Sequence, residues 1–269
     1  MDEPLRKLAD ALRATDGALM VVTGAGISLA SGIPTFRGTD PGAVWKQDVT
    51  ELGTLDFFSR DPVSSWRWYL SRFEKVFEAR PNPAHLALAS LERWQTGRGG
   101  SFLLVTQNVD TLHEQAGTRE LVKVHGSADR VRCPASGCEY GAPRGSLPRD
   151  RFDLKPFLAS PSRERLPHCP ACGEILRQHV LWFDEYYNSH ADYQFERVRR
   201  ACAEADLLLF VGTSFSVGLT EMLLDSARLL GTRVLAVDPG AASPPPPAEA
   251  LHAKAEELLP AACRELAAR

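Results

Sequence analysis

Hydrophobic positions along the chain fall into two patterns. Short, nearly continuous apolar runs end at glycine, polar or turn residues in Ala18–Val22, Phe102–Thr106, Leu121–Val124, Leu207–Val211 and Arg233–Val237. Such runs predict strands. Between them, helical patterns cover Leu5–Ala14, Pro83–Trp94, Tyr193–Ala203 and Leu219–Leu230, with a last helix near Ala253–Leu266. Asn82-Pro83 pairs an N-cap residue with proline at the first helical position. Apolar strands alternating with helices predict an α/β fold, a doubly wound (Rossmann-like) parallel sheet covered on both faces.

Two stretches break the alternation. Thr39–Arg80 is mostly helical and rich in aromatics, while Ser127–Glu174 carries cysteines among many Pro, Gly and Arg residues. Both are expected to project from the sheet as a smaller second lobe. The predicted partition is therefore 1–38, 81–126 and 175–269 for the Rossmann-like domain, 39–80 for a helical insertion and 127–174 for a zinc-binding module. Pro239–Pro247 predicts a stiff loop before the last helix.

The 269 residues are 44% apolar and 24% charged, a globular composition. With 31 basic and 34 acidic residues the net charge is −3, which disfavours a protein held on nucleic acid by phosphate contacts. No apolar stretch approaches the roughly 18 residues that cross a bilayer, and Met1–Lys7 does not read as a signal peptide. A soluble, cytoplasmic monomer is the expectation. Thiols stay reduced there, so the cysteines are read by spacing. Cys133 and Cys138 form a C-x4-C pair and Cys169 and Cys172 a C-x2-C pair, which looks like a four-thiolate structural zinc site. Cys202 and Cys263 are read as packing residues.

Candidate chemistry sits where the predicted strands end. Val21–Ser28 runs from a strand into a glycine turn, where Gly24 and Gly26 would let backbone amides approach a pyrophosphate. The third glycine of the dinucleotide fingerprint is absent, with Leu29 in its place. Ser31–Gly38 extends that loop, Thr106–Asp110 leaves the second strand with amide and carboxylate groups, His125-Gly126 closes the third and Gly212–Ser214 the fourth. All four motifs lie on the ligand-binding edge of a doubly wound sheet.

In this order, the motifs Gly-Ala-Gly-Ile-Ser, Gly-Ile-Pro-x-Phe-Arg, Gln-Asn-x-Asp, His-Gly, two cysteine pairs and Gly-Thr-Ser resemble the sirtuin family, the NAD-dependent protein lysine deacylases. The resemblance covers nearly the whole chain. It implies that an acyl-lysine carbonyl attacks the nicotinamide ribose, giving free lysine, nicotinamide and an O-acyl-ADP-ribose. It implies His125 as general base and Asn108 as a second catalytic residue. Implied NAD contacts are Gly24, Ala25, Gly26, Ser28, Thr35, Phe36 and Arg37 in the first loop, and Gln107, Asn108 and Asp110 after the second strand. Gly212, Thr213, Ser214, Asp238 and Ala255 complete that set. Substrate contacts implied are Leu181, Phe183, Asp184, Glu185 and Val217 along an acyl-lysine-bearing protein or peptide. One structural zinc is implied on Cys133, Cys138, Cys169 and Cys172.

Tyr69 and Arg72 stand three residues apart on a helix starting at Asp61-Pro62, so they share a face. A phenol and a guanidinium side by side make a carboxylate receptor. Tyr-x-x-Arg looks like the signature of sirtuins that remove succinyl, malonyl or glutaryl groups. The chain also departs from the family pattern. Asp184 stands where glycine is usual, which raises the expectation of an altered φ or a crowded peptide; Gln178 and Leu219 or Thr220 replace prolines; Asp238 replaces an asparagine and Ala30 a glutamate. Alternatives are a plain deacetylase, an ADP-ribosyltransferase or NAD hydrolase, and a non-catalytic NAD-binding interaction module. A dehydrogenase is disfavoured by the incomplete fingerprint.

Overall fold

The structure is a computed structural model that describes residues 2–35, 49–240 and 243–268. In chain order it runs α1 (Glu3–Arg13), β1 (Ala18–Thr23), α2 (Val49–Leu52), α3 (Leu55–Arg60), α4 (Pro62–Glu78) and α5 (Pro83–Gly97). Then follow β2 (Ser101–Thr106), α6 (Leu112–Gln115), β3 (Leu121–Lys123), β4 (Gly126–Arg132), β5 (Leu147–Pro148), α7 (Lys155–Ala159) and β6 (Arg177–Val180). The chain closes with α8 (Phe195–Glu204), β7 (Leu207–Val211), α9 (Gly218–Leu230), β8 (Arg233–Val237), β9 (Glu249–Leu251) and α10 (Ala255–Ala267).

Six parallel strands form one sheet in the order β3-β2-β1-β7-β8-β9. Side chains alternate across a strand, so β1 feeds both cores. Leu19 and Val21 pack with Leu8, Leu88 and Leu259 from α1, α5 and α10, whereas Met20 and Val22 pack with Val198 and Leu223 from α8 and α9. This double burial makes the strands read as unbroken apolar runs. The helix predicted from Tyr193 begins at Phe195 instead, because Gln194 takes a left-handed φ of 44° and Tyr193 belongs to the preceding 3-10 turn. No described helix is long and apolar enough to cross a membrane.

β5, β4 and β6 form a separate antiparallel sheet. One apolar cluster joins it to the helical insertion: Phe58, Trp66, Tyr69 and Phe73 pack with Val131, Leu176, Val180 and Trp182. Trp66 Nε1 donates to Leu176 O at 2.8 Å. The helix start at Asp61-Pro62 is as expected, with Asp61 accepting the Ser64 amide.

At β6 lies a polar knot of two buried histidines and the exposed Asp192. His179 Nε2 is 3.1 Å from Asp192 Oδ2, and His190 Nε2 donates to Gly145 O at 3.1 Å while its Nδ1 accepts the Asp192 amide. Both nitrogens of His190 are thus committed, so these three residues serve as a structural tie and not as a ligand set. Burial pushes His179 down to about 4, from 6.5. The unfolded chain then binds a proton below about pH 6.5 that the folded chain refuses until its own lower value, so this stability is full above that range and is lost as the pH falls toward 4. His85, also pushed to about 4 by burial, acts in the same direction. The urea midpoint is therefore expected to be lower at about pH 5 than at pH 7.5; equal midpoints would contradict this.

Candidate active site

The polar motifs converge where the sheet order reverses. β2 and β3 lie on one side of β1, and β7 and β8 on the other. The carboxyl ends of β1 and β7 therefore border the crevice in which doubly wound sheets hold ligands. Its floor is backbone against backbone. The Gly24 amide donates to Val211 O at 3.1 Å and the Gly26 amide to Gly212 O at 2.8 Å. A Cβ on Gly26 would stand 2.8 Å from Gly212 Cα, and one on Gly212, where φ is +60°, would stand 2.4 Å from the Ile27 nitrogen. At Gly24 and Gly26 the close backbone approach expected of glycine is made to the turn at Gly212. Their own amides are spent, and glycine is required because two chain segments cross at contact distance.

A short hydrogen-bonded chain borders this floor. Asn108 Nδ2 donates to Gly24 O and to Ser28 Oγ, each at 3.1 Å, and Ser28 Oγ donates to Asp110 Oδ2 at 3.0 Å. The other Asp110 oxygen accepts the Leu112 amide at 3.0 Å. With both amide hydrogens used, Asn108 has its carbonyl oxygen left to offer a ligand. Gln107 Nε2 reaches Thr213 Oγ1 at 3.3 Å and so links the ends of β2 and β7. Ala25 opens the 3-10 turn after β1, and Thr35 is the last described residue of that loop. Phe36 and Arg37 lie outside the described residues. Ser214 is exposed, while Asp238 follows β8 and accepts the Gly240 amide at 2.8 Å. The Ala255 side chain is buried in the core, so a ligand could meet its backbone but not its methyl group.

His125 stands between β3 and β4. Its Nδ1 lies 2.8 Å from Gln107 O. A carbonyl can only accept, so Nδ1 carries the proton and Nε2 keeps a lone pair. Burial lowers the pKa from 6.5, opposed by the Gln107 hydrogen bond. The ring is thus neutral at pH 7, with Nε2 able to act as a base. The next residue, Gly126, has φ +80°, and a Cβ there would lie 2.2 Å from His179 O. Glycine alone allows that turn directly after the histidine. The Leu181 amide donates to His125 O at 2.9 Å, and Nε2 faces the Tyr187 hydroxyl at 3.3 Å. The sequence does not single out Tyr187, because a pair of adjacent tyrosines in a loop carries no spacing signal.

The loop after β6 is strapped to the helical insertion. The Phe183 amide donates to Gly53 O at 3.0 Å, and Asp184 accepts the Leu55 and Asp56 amides at 2.9 and 3.2 Å. The expectation of a disturbed backbone at Asp184 is not met: among the described residues, positive φ outside glycine occurs at Gln194 and Phe215. The aspartate caps α3. The Glu185 carboxylate pairs with the buried Arg177 at 2.7 and 3.0 Å and with Arg132, which leaves only its backbone for a ligand. Val217, extended at φ −125°, precedes α9. Tyr69 is buried, stacking with Trp182 at 6.2 Å, and burial raises its pKa so that it remains a donor. Arg72 lies half-buried with its guanidinium 4.0 Å over the Trp68 ring, donating to Trp68 O at 3.2 Å.

The four paired cysteines meet. Sγ of Cys133 lies 3.4 Å from that of Cys172, and Cys138 Sγ is 3.6 Å from Cys169 Sγ; all four lie within 4.8 Å of one another. A tetrahedron with Zn–S arms of ~2.3 Å has sulfurs about 3.8 Å apart. The cluster therefore fits one structural zinc, with every position taken by thiolate.

Comparison with known proteins agrees with this geometry. The profile of the Sir2 family matches residues 24–218. An NAD-dependent protein deacylase of Thermus thermophilus is 44% identical over 240 residues, 89% of this chain and 84% of that protein. NAD-dependent protein deacylase 1 of Archaeoglobus fulgidus is 36% identical over 261 residues, 96% of this chain and 95% of its own length. Among solved structures, a Sir2 homologue mutant in complex with ADP-ribose superposes with TM-score 0.81 at 35% identity, covering 100% of this chain and 97% of the other. A Sir2 homologue in complex with NAD gives 0.79 at 34% identity, covering 100% and 94%. Sequence, fold and site geometry together place this chain in the Sir2 family.

Proposed function

We propose that the chain is an NAD-dependent protein lysine deacylase whose general base is His125. The observation that carries this reading is the fixed tautomer: Gln107 O holds the Nδ1 proton, and the Nε2 lone pair is left at the ligand edge of the sheet. The donor set there suits a dinucleotide. Hydroxyl, amide and carboxylate groups of Ser28, Gln107, Asn108, Asp110, Thr213, Ser214 and Asp238 are the types that recognise ribose hydroxyls, a carboxamide and phosphates. Bound NAD would supply an activated ribose carbon to accept the acyl oxygen, with nicotinamide as leaving group. His125 would take a proton from a ribose hydroxyl at Nε2, while Asn108 offers its carbonyl oxygen and the Asn108–Ser28–Asp110 chain holds that amide in place. The backbone of Gly24, Ala25 and Gly26, with Thr35, Phe36, Arg37, Gly212 and Ala255, would complete the cofactor's surroundings. Leu181, Phe183, Asp184 and Val217 would flank the peptide, and residues 39–80 with 127–174 would act as the small domain. Incubating the purified protein with NAD and acyl-lysine peptides should release free lysine, nicotinamide and O-acyl-ADP-ribose by mass spectrometry. Bare ADP-ribose or protein-bound ADP-ribose as sole product would refute the reading.

The finer part of the proposal is a preference for succinyl, malonyl or glutaryl groups. Arg72 and the protonated Tyr69 share a face of α4, and Tyr69 stacks on Trp182 in the segment beside Leu181. Arg72→Met is expected to reduce kcat/KM on a succinyl peptide by about 10²-fold, the loss of one charge-assisted pair, and to spare the acetyl version. The stacking of Arg72 on Trp68 favours a second reading, a plain deacetylase. Equal losses on both peptides, or a wild type that prefers acetyl, would decide for it.

A further inference from the structure

Tyr187 takes no part in the reaction described above, yet it is the side chain that meets the reactive nitrogen. The His125 and Tyr187 rings stack at 5.7 Å and 24°, and Tyr187 stacks in turn on Phe195 at 5.1 Å and 16°. This three-ring stack starts on α8, in the apolar cluster beneath the sheet, and ends at the imidazole. We propose that Tyr187 is a positioning residue for His125, donating its hydroxyl to Nε2 and holding the ring in one tautomer and one orientation until a ligand hydroxyl takes that place. The direction of the bond is set by chemistry. Nδ1 donates to Gln107 O, so Nε2 can only accept and the phenol at 3.3 Å must donate. Burial raises the phenol pKa, which keeps it a donor at working pH. Nε2 has a single lone pair, so an incoming hydroxyl must displace Tyr187 and cannot add to it.

Among the described residues, the charged groups on the neighbouring elements are turned elsewhere. Asp110 faces Ser28 and the Leu112 amide, Lys123 faces Ser127 and Glu114, Asp184 caps α3, and Glu185 faces Arg177 and Arg132. The Tyr187 bond therefore weighs on the His125 proton equilibrium with no nearby charge among the described residues to mask it. A hydrogen bond to the neutral imidazole disfavours protonation.

The inference rests on the deacylase reading for its kinetic half only. NMR titration of His125 in the free protein should show its pKa rising by about half to one unit in Tyr187→Phe, the equivalent of one neutral hydrogen bond. Tyr187→Met, which fills similar space without a ring or hydroxyl, should rise at least as far. The acid limb of deacylation should move up by the same amount, so that the variants lose more activity at about pH 6 than at pH 8. An unchanged His125 titration in both variants would overturn the proposal. A wild type that deacylates nothing would sink the functional reading, while the titration of the free protein would still decide the role of Tyr187.

Discussion

His125→Ala is expected to lower NAD-dependent deacylation by about 10²–10⁴-fold, the usual contribution of a positioned general base. The imidazole is half-buried, and its protonated Nδ1 is held by a backbone carbonyl, so removing it deletes the base and leaves the strand ends in place. The fold should survive, since the Leu181 strap uses the backbone carbonyl of residue 125 and not its ring. The pH dependence has a definite sign. Because the pKa is lowered from 6.5, wild-type activity should hold at neutral pH and fall as acid protonates Nε2. Circular dichroism of the variant should match wild type while turnover collapses. Retention of more than about a tenth of the wild-type rate would remove His125 from the role of base.

Metal removal should have the second large effect. Metal analysis is expected to return about one zinc per chain. Stripping it leaves four sulfurs within 4.8 Å of one another with nothing to hold them. Structural zinc contributes folding free energy directly, so the small antiparallel sheet should melt. Cys133 and Cys169 pack in the same cluster as Trp66, Tyr69 and Trp182, and the disturbance should reach the helical insertion. Chelation should therefore red-shift tryptophan emission and abolish activity together, and added zinc should restore both. A metal-free protein with unchanged melting temperature and emission would rule out a structural zinc. Cys169→Ser should reproduce the chelated state, whereas Cys202→Ser should not, because Cys202 is buried against α9 away from the cluster.

The large sheet was legible because both faces of its strands are buried, and Leu207–Val211 and Arg233–Val237 match the expected bounds residue for residue. β9 was not, since Glu249-Ala250-Leu251 carries one buried residue and no alternation long enough to read. The small antiparallel sheet escaped for a similar reason: β5 has two residues, and β6 is Arg-Gln-His-Val, polar in composition although buried throughout. In the site, residue types marked the strand ends but not their partners. Nothing in the spacing of Glu185 shows that two arginines claim it. Nothing near Asp184 shows that its carboxylate closes a helix about 130 positions earlier in the chain, a long-range contact that only the folded topology supplies. Tyr187 needs the same topology to find His125.

The glycine crossing between Gly26 and Gly212 limits how this cleft can be retuned. Two polypeptide segments touch there with no volume for even a methyl group, so no choice of side chain at these positions can reshape the bottom of the pocket. On the proposed function, acyl selectivity is then expected to be set in the walls, by the loop after β6, the start of α9 and the face of α4 that carries Tyr69 and Arg72. A library aimed at new acyl groups should randomise those walls and hold the two glycines constant.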